Sequence, residues 1–220
     1  MFDDIKSAKE IVNFIRDEAN KRQIKYLIVG VTGGLDSTVL VGLCKLTEIP
    51  VKLYYIAINE YGCQTPSKID SNILALEAWC DETVQVCILH REFNRICSMI
   101  DDGQLRDKTI SELKRRFVML TLHTYADHYK GLVVSSINYD EFALGLFAKY
   151  CMGDILPFKH IRRREIREIA KQLNVSDSII NKQAIYEKSI PTLDGRVPLT
   201  NKVHDQMLSS KSKQIESPSL

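Results

Sequence analysis

Thr32, Gly33, Gly34, Leu35, Asp36 and Ser37 follow an apolar run ending at Val31 and lead into a helix-like stretch, an order that suits anion binding. Adjacent glycines allow a tight turn and let phosphate oxygens approach backbone N–H groups. The helix N-terminus adds partial positive charge, and the hydroxyls of Thr32, Ser37 and Thr38 can donate. Asp36 would repel an anion unless it held a cation, and a magnesium ion bridging phosphate oxygens is the natural one. A plain glycine turn with Asp36 or Ser37 capping a helix would use the same residues. Strand, double glycine, acid and hydroxyls in this order favour the phosphate cradle. No lysine follows with Walker-loop spacing, and the run is not G-x-G-x-x-G.

A second region with chemical potential runs from Ser135 and Ser136 through Asn138 and Glu141 to Lys149 and Tyr150. It reads as strand end, turn and helix. Asn138 and Glu141 could be no more than a solvated first turn favourable to the helix dipole. Their place after a second buried strand, on the same sheet edge as the glycine loop, favours a shared site.

The elements that must position these residues follow from periodicity. Ile5, Ala8, Ile11, Val12, Ile15 and Ala19 recur at helical spacing. Short β-rich apolar runs at residues 26–31, 51–58, 84–89 and 132–135 read as strands buried on both faces. Helices are expected over 37–46, 67–80, 109–129, 139–150 and 162–173, the third opened by a capping box of Thr109 and Glu112. Alternating strands and helices predict a doubly wound, open parallel sheet with helices on both faces, an α/β fold of Rossmann-like type. Ligands of such sheets sit beyond the carboxyl ends of the strands, where the loops after Val31, Ile58 and Ser135 fall.

Composition narrows the function classes. The 220 residues carry a net charge of +2, with 30 basic and 28 acidic residues, so no global field marks a nucleic-acid or membrane-surface partner. Cys44, Cys63, Cys80, Cys87, Cys97 and Cys151 contain no C-x-x-C pair, and neither a disulfide framework nor a zinc knuckle is expected. His90, His123, His128, His160 and His204 show no ligand spacing. No apolar stretch approaches the roughly 20 residues that span a bilayer, so the expected compartment is the cytosol. One domain is expected over residues 1–208, followed by a Ser/Lys-rich tail over 209–220 that has little apolar surface to offset its ordering entropy. Tyr54, Tyr55 and Trp79 are expected in the core.

The glycine loop resembles the Ser-Gly-Gly-x-Asp-Ser signature of the N-type ATP pyrophosphatases (adenine nucleotide α-hydrolase fold), with Thr32 in place of the first serine. The region from Ser135 to Tyr150 resembles the Gly-Thr-x-Asn-x-x-Glu-x-x-x-Gly-x-Phe-Thr-Lys-Tyr stretch of ammonia-dependent NAD synthetases, and Ile155, Leu156, Pro157 and the arginines from Arg162 to Arg167 follow in the family's order. The resemblance extends from about Leu27 to Thr192.

It implies an ATP-using C–N ligase that amidates deamido-NAD with ammonia, giving NAD, AMP and pyrophosphate. On that resemblance Asp36 and Glu141 are the catalytic magnesium ligands. Thr32, Gly33, Gly34, Leu35, Asp36, Ser37, Ser136, Arg163 and Thr192 hold ATP or pyrophosphate, and Gln64, Arg116 and Asn138 face substrate. A homodimer and a supply of free or partner-delivered ammonia are implied in the same way. The chain departs from the family pattern where the acceptor should bind. Asn59 lies where an arginine is usual, Glu112 replaces an asparagine, and a Gly/Asp-rich loop is shortened to Cys151, Met152, Gly153 and Asp154. The family's Gln-x-Asp-Glu element has no counterpart after Thr192. Two other readings share the loop: a different adenylating amide- or thio-forming enzyme, which often carries C-x-x-C pairs, and a nucleotide-binding module without chemistry.

Overall fold

The computed structural model describes residues 8–59, 71–102, 105–144 and 146–181. Its centre is a four-stranded, all-parallel sheet of β1 (Tyr26–Gly30), β2 (Val51–Ala57), β3 (Val84–Ile88) and β4 (Gly131–Val134), in the spatial order β3-β2-β1-β4. Leu27 lies opposite both Val51 and Leu132, so β1 is the strand from which the chain winds outward in both directions. The gap between the carboxyl ends of β1 and β4 is therefore the topological switch point, the usual crevice for a ligand in such a sheet. A parallel bridge from Val134 to Ile155 extends the sheet edge beside β4.

Strand periodicity assigns the two faces. Leu27, Val29, Leu53, Val84, Leu132 and Val134 pack against α1 (Ala8–Lys21), α2 (Leu35–Lys45) and α3 (Ser71–Cys80). The same layer includes α7 (Arg163–Gln172) and α8 (Asp177–Ile180). Ile28, Tyr54 and Val133 point the other way and pack under Leu122 and Ala126 of α5 (Asp107–Tyr129). A third cluster joins Ile58 to Phe93 and Cys97 of α4 (His90–Ile100). Helices thus cover both faces, as alternation in the sequence predicts. A Cβ on Gly30 would lie 2.7 Å from Leu122 Cδ1, so the bare glycine lets α5 seat closely on the end of β1.

Four helices differ from expectation, among them the short α8, which was not expected. α5 begins at Asp107 with Arg106 as its N-cap, and the N–H groups of Thr109 and Ile110 already donate to Arg106 O, so Thr109 lies inside the helix and caps nothing. α6 (Tyr139–Leu144) is far shorter than residues 139–150, because the chain turns at Tyr150, φ 63°, and comes back to the sheet where Asp154 N–H donates to Val133 O. α4 was not anticipated. Phe93, Ile96, Cys97 and Ile100 do recur at helical spacing, and Phe93 and Cys97 are the two that the fold buries. Among the described residues no helix is long and apolar enough to cross a membrane, and Cys44, Cys80, Cys87, Cys97 and Cys151 are free thiols. Tyr54 is buried, whereas Tyr55 and Trp79 flank the core, half-buried, with Trp79 Nε1 donating to Leu173 O.

Candidate active site at the switch point

The glycine loop leaves β1 and enters α2. Gly33 has φ 65°, in the left-handed region open to glycine at little cost, and Gly34 is the N-cap of α2 without any side-chain cap. The loop is braced by its own hydroxyls: Thr32 N–H donates to Ser37 Oγ at 3.3 Å, Thr32 Oγ1 and Ser37 Oγ lie 3.2 Å apart, and Ser37 Oγ donates to Gly34 O at 3.1 Å. Thr38 Oγ1 also donates to Gly34 O. These bonds shape the turn so that the first N–H groups of α2, which have no partner within the helix, face outward from its N-terminus. Leu35, expected beside ATP, has a fully buried side chain and can contribute only its backbone.

Asp36, in the first turn of α2, is the meeting point of three segments. Its Oδ2 accepts from Arg163 Nη1 at 2.6 Å and from Asn138 Nδ2 at 3.1 Å. Its Oδ1 is buried without a hydrogen-bond partner among the described residues. Burial pushes the Asp36 carboxyl up, and the Arg163 guanidinium and Asn138 amide pull it back toward the charged form.

Asn138 and Glu141 form a capping box at the start of α6. Asn138 Oδ1 accepts from Glu141 N–H at 2.9 Å, and Glu141 Oε2 accepts from Asn138 N–H at 3.2 Å. The modest reading of these residues as a helix start is therefore correct, and it does not exclude a site role, because the box aims Asn138 at Asp36. Burial first, and then repulsion from Asp36, push the Glu141 carboxyl up to about 7. Asp140, which sequence reasoning passed over, is buried and accepts Arg163 N–H at 3.0 Å, tying the start of α7 to α6. Arg162 N–H donates to Glu165 Oε2 at 2.8 Å and completes that helix start. An acid directly before Glu141 was the available signal for Asp140, but its distant partner was not legible.

A divalent cation fits this arrangement. A buried carboxylate oxygen on Asp36 with no partner among the described residues, and Glu141, its carboxyl raised by burial and then by Asp36, are two hard oxygen donors that a cation would satisfy. No cluster of three or more His, Cys, Asp or Glu able to hold a metal occurs among the described residues. Magnesium commonly takes one or two carboxylates and completes its shell with phosphate oxygens and water, so Asp36 and Glu141 are a sufficient pair of protein donors for it.

The remaining expected residues are dispersed. Ser136 is half-buried in the loop between β4 and α6, on the rim of the crevice. Arg116 Nε donates to Lys149 O at 3.2 Å, and its Nη2 pairs with Glu112 at 3.1 Å. No bond among the described residues joins it to the Asp36 cluster. Glu112, a departure from the family pattern, thus has Arg116 as its partner one helical turn on. Asn59 is buried at the end of β2. Gln64 and Thr192 lie outside the described residues, as does the segment 209–220 expected to be a tail.

The profile of the NAD synthase family matches residues 7–216. The NH3-dependent NAD(+) synthetase of Thermoplasma volcanium is 29% identical over 181 residues, covering 81% of this chain and 72% of its own. Its counterpart from Alkaliphilus oremlandii is 28% identical over 227 residues, covering 94% and 86%. Among solved structures, the NMN synthetase of Francisella tularensis superposes with a TM-score of 0.76 at 18% identity, over 97% of this chain and 95% of that one. The NH3-dependent NAD synthetase of Campylobacter jejuni superposes with a TM-score of 0.72 at 18% identity, over 97% and 96%. At such identities the structural likeness establishes the fold, an α/β parallel sheet shared with NAD synthetases.

Proposed function

The chain belongs to the NAD synthase family, and on that premise we propose that it is a C–N ligase that amidates deamido-NAD with ammonia at the expense of ATP. The observation that carries the reading is the convergence on Asp36. A carboxylate with one buried oxygen unpartnered among the described residues stands between the double-glycine loop and the Asn138–Glu141 box, at the switch point of the sheet. Relatives 28–29% identical that bear the name NH3-dependent NAD(+) synthetase support the choice of reaction.

In this reading the α2 N-terminus and the backbone of Gly33 and Gly34 receive the phosphates of ATP, with Thr32 and Ser37 holding the turn. Ser136 lies along the nucleotide, Arg163 balances phosphate charge, and Asn138 keeps Asp36 aimed at the crevice. Asp36 and Glu141 would hold magnesium, which neutralises phosphate charge when bound. The nicotinate carboxylate oxygen attacks the α-phosphorus and pyrophosphate leaves into the loop. Ammonia then attacks the adenylated carbonyl carbon, AMP departs with the C–O electron pair, and one proton goes to solvent. No side chain serves as a nucleophile, so the chain contributes positioning and charge. Gln64, Arg116 and Thr192 keep the substrate-side and phosphate-side roles that the family resemblance assigns them, and the working unit is a homodimer in the cytosol.

The test is direct. Protein, ATP, magnesium and ammonium are incubated with deamido-NAD, and in a parallel arm with nicotinate mononucleotide; amide product and pyrophosphate are both quantified. NAD and pyrophosphate formed in equal amounts from deamido-NAD is the expected result. Amide formed only from the mononucleotide would reassign the acceptor, and no product above the blank in either arm would sink the ligase reading.

A further inference from the structure

Arg163 holds two acids at once. Its backbone N–H donates to Asp140 Oδ2, which fixes the first residue of α7, and its guanidinium reaches across to Asp36 Oδ2 at 2.6 Å. Both side chains of that pair are nearly withdrawn from water, at 8% and 12% exposure. With Asn138 also donating to it, Oδ2 is fully engaged, while Oδ1 is buried without a hydrogen-bond partner among the described residues and is the oxygen left to a cation. A guanidinium and a divalent cation on one carboxylate would repel each other strongly in so dry a site.

Building on the reading of Asp36 as a metal ligand, we propose that Arg163 is the resident counter-ion of Asp36 in the nucleotide-free protein and that a divalent cation arriving beside Asp36 displaces it. The released guanidinium, on a backbone that Asp140 still anchors, then has the phosphates at the neighbouring α2 N-terminus as its new anionic partners. A planar guanidinium is suited to both partners, since it matches carboxylate and phosphate oxygens alike. The exchange makes metal and nucleotide binding mutually supportive. Metal alone must break the Arg163–Asp36 pair, whereas metal with nucleotide brings Arg163 phosphate oxygens in exchange. Arg163 is therefore a positioning residue whose pairing sets when the metal can enter.

The test is Mn2+ binding without nucleotide, read from the electron paramagnetic resonance signal of free Mn2+, for wild type, Arg163→Met, Asp36→Asn and the double variant. Removing the guanidinium should tighten Mn2+ binding about tenfold, within the usual range of coupling between sites, and the gain should vanish when Asp36 is also changed. Mn2+ affinity unchanged or weakened in Arg163→Met, with binding still dependent on Asp36, overturns the exchange while leaving Asp36 as a ligand. Binding indifferent to Asp36 in every variant, with ATP added as well as without, overturns the ligand reading itself. Should Arg163→Met not fold, the wild-type protein with 15N-labelled arginine answers the same question. The Arg163 guanidinium resonance, identified by its loss in Arg163→Lys, should move when Mg2+ and a non-hydrolysable ATP analogue are added together. A resonance that stays in place rejects the exchange.

Discussion

Arg163 Nη1 donates to Asp36 Oδ2 at 2.6 Å across 127 positions of sequence, so the start of α7 and the first turn of α2 are joined by a buried ion pair at the mouth of the crevice. Removing one member of such a pair leaves the other charged and dry, which costs about 3–5 kcal/mol, whereas removing both costs much less. Asp36→Asn keeps an oxygen acceptor for Arg163, so its stability loss should be smaller, about 1–3 kcal/mol. Its turnover should still fall at least about a hundredfold, through loss of a charged group at the phosphates. The double variant Asp36→Asn with Arg163→Met should be less destabilised than the sum of the single changes, and should remain inactive. Urea midpoints and NAD formation measure the two effects separately; strictly additive stabilities would argue that the pair is not coupled in solution.

Two glycines of the same region separate function from packing. Gly33 adopts φ 65°, so Gly33→Ala strains the backbone by about 1–2 kcal/mol and adds a methyl to the turn that phosphate must approach. The KM for ATP should rise about tenfold or more while the KM for the acceptor changes little. Gly42 lies deeper in α2, where an added Cβ would stand 2.7 Å from Trp79 Cη2 and 3.1 Å from Leu173 Cδ1. Gly42→Ala should cost about 1–3 kcal/mol in stability through overpacking, with kcat per folded molecule unchanged. The reverse pattern, a stable Gly42→Ala with lost activity, would mean that α2 carries strain from its core to the loop.

What was legible beforehand depended on whether the determining contact was local. The glycine turn, the hydroxyls that brace it and the Asn138–Glu141 box all lie within five residues of their partners, and residue type and spacing were enough to single them out. The sheet was equally readable, because strands buried on both faces carry a continuous apolar run. The links from Asp36 to Asn138 and Arg163 span 102 and 127 positions and exist only once β1 and β4 stand side by side. Asp140 was passed over for the same reason: alone it is an ordinary acid in a helix's first turn, and its role comes from Arg163 N–H packed against it. The end of α6 was misjudged because the return of the chain to Val133, a tertiary contact, overrides helical propensity after Leu144.

Glu141 gives the site a pH signature that needs no substrate. In the fold its carboxyl is pushed up to about 7, by burial first and by Asp36 second, against an ordinary 4.5. Between those values the folded protein holds a proton that the unfolded chain has already released, so the stabilising contribution of the protonated group is full below pH 4.5 and is lost as pH rises through about 7. In EDTA, to keep divalent cations away, the melting temperature of the wild type should therefore gain from acidification between pH 8 and pH 5 relative to Glu141→Gln. Glutamine is the fair comparison because its amide oxygen can still accept Asn138 N–H and close the capping box. Differential scanning calorimetry at unit pH steps measures the difference between the two proteins, in which the titrations of groups remote from Glu141 cancel to first order. A difference that stays constant from pH 5 to pH 8 would mean that Glu141 titrates in its ordinary range and is better hydrated than its place beside Asp36 implies.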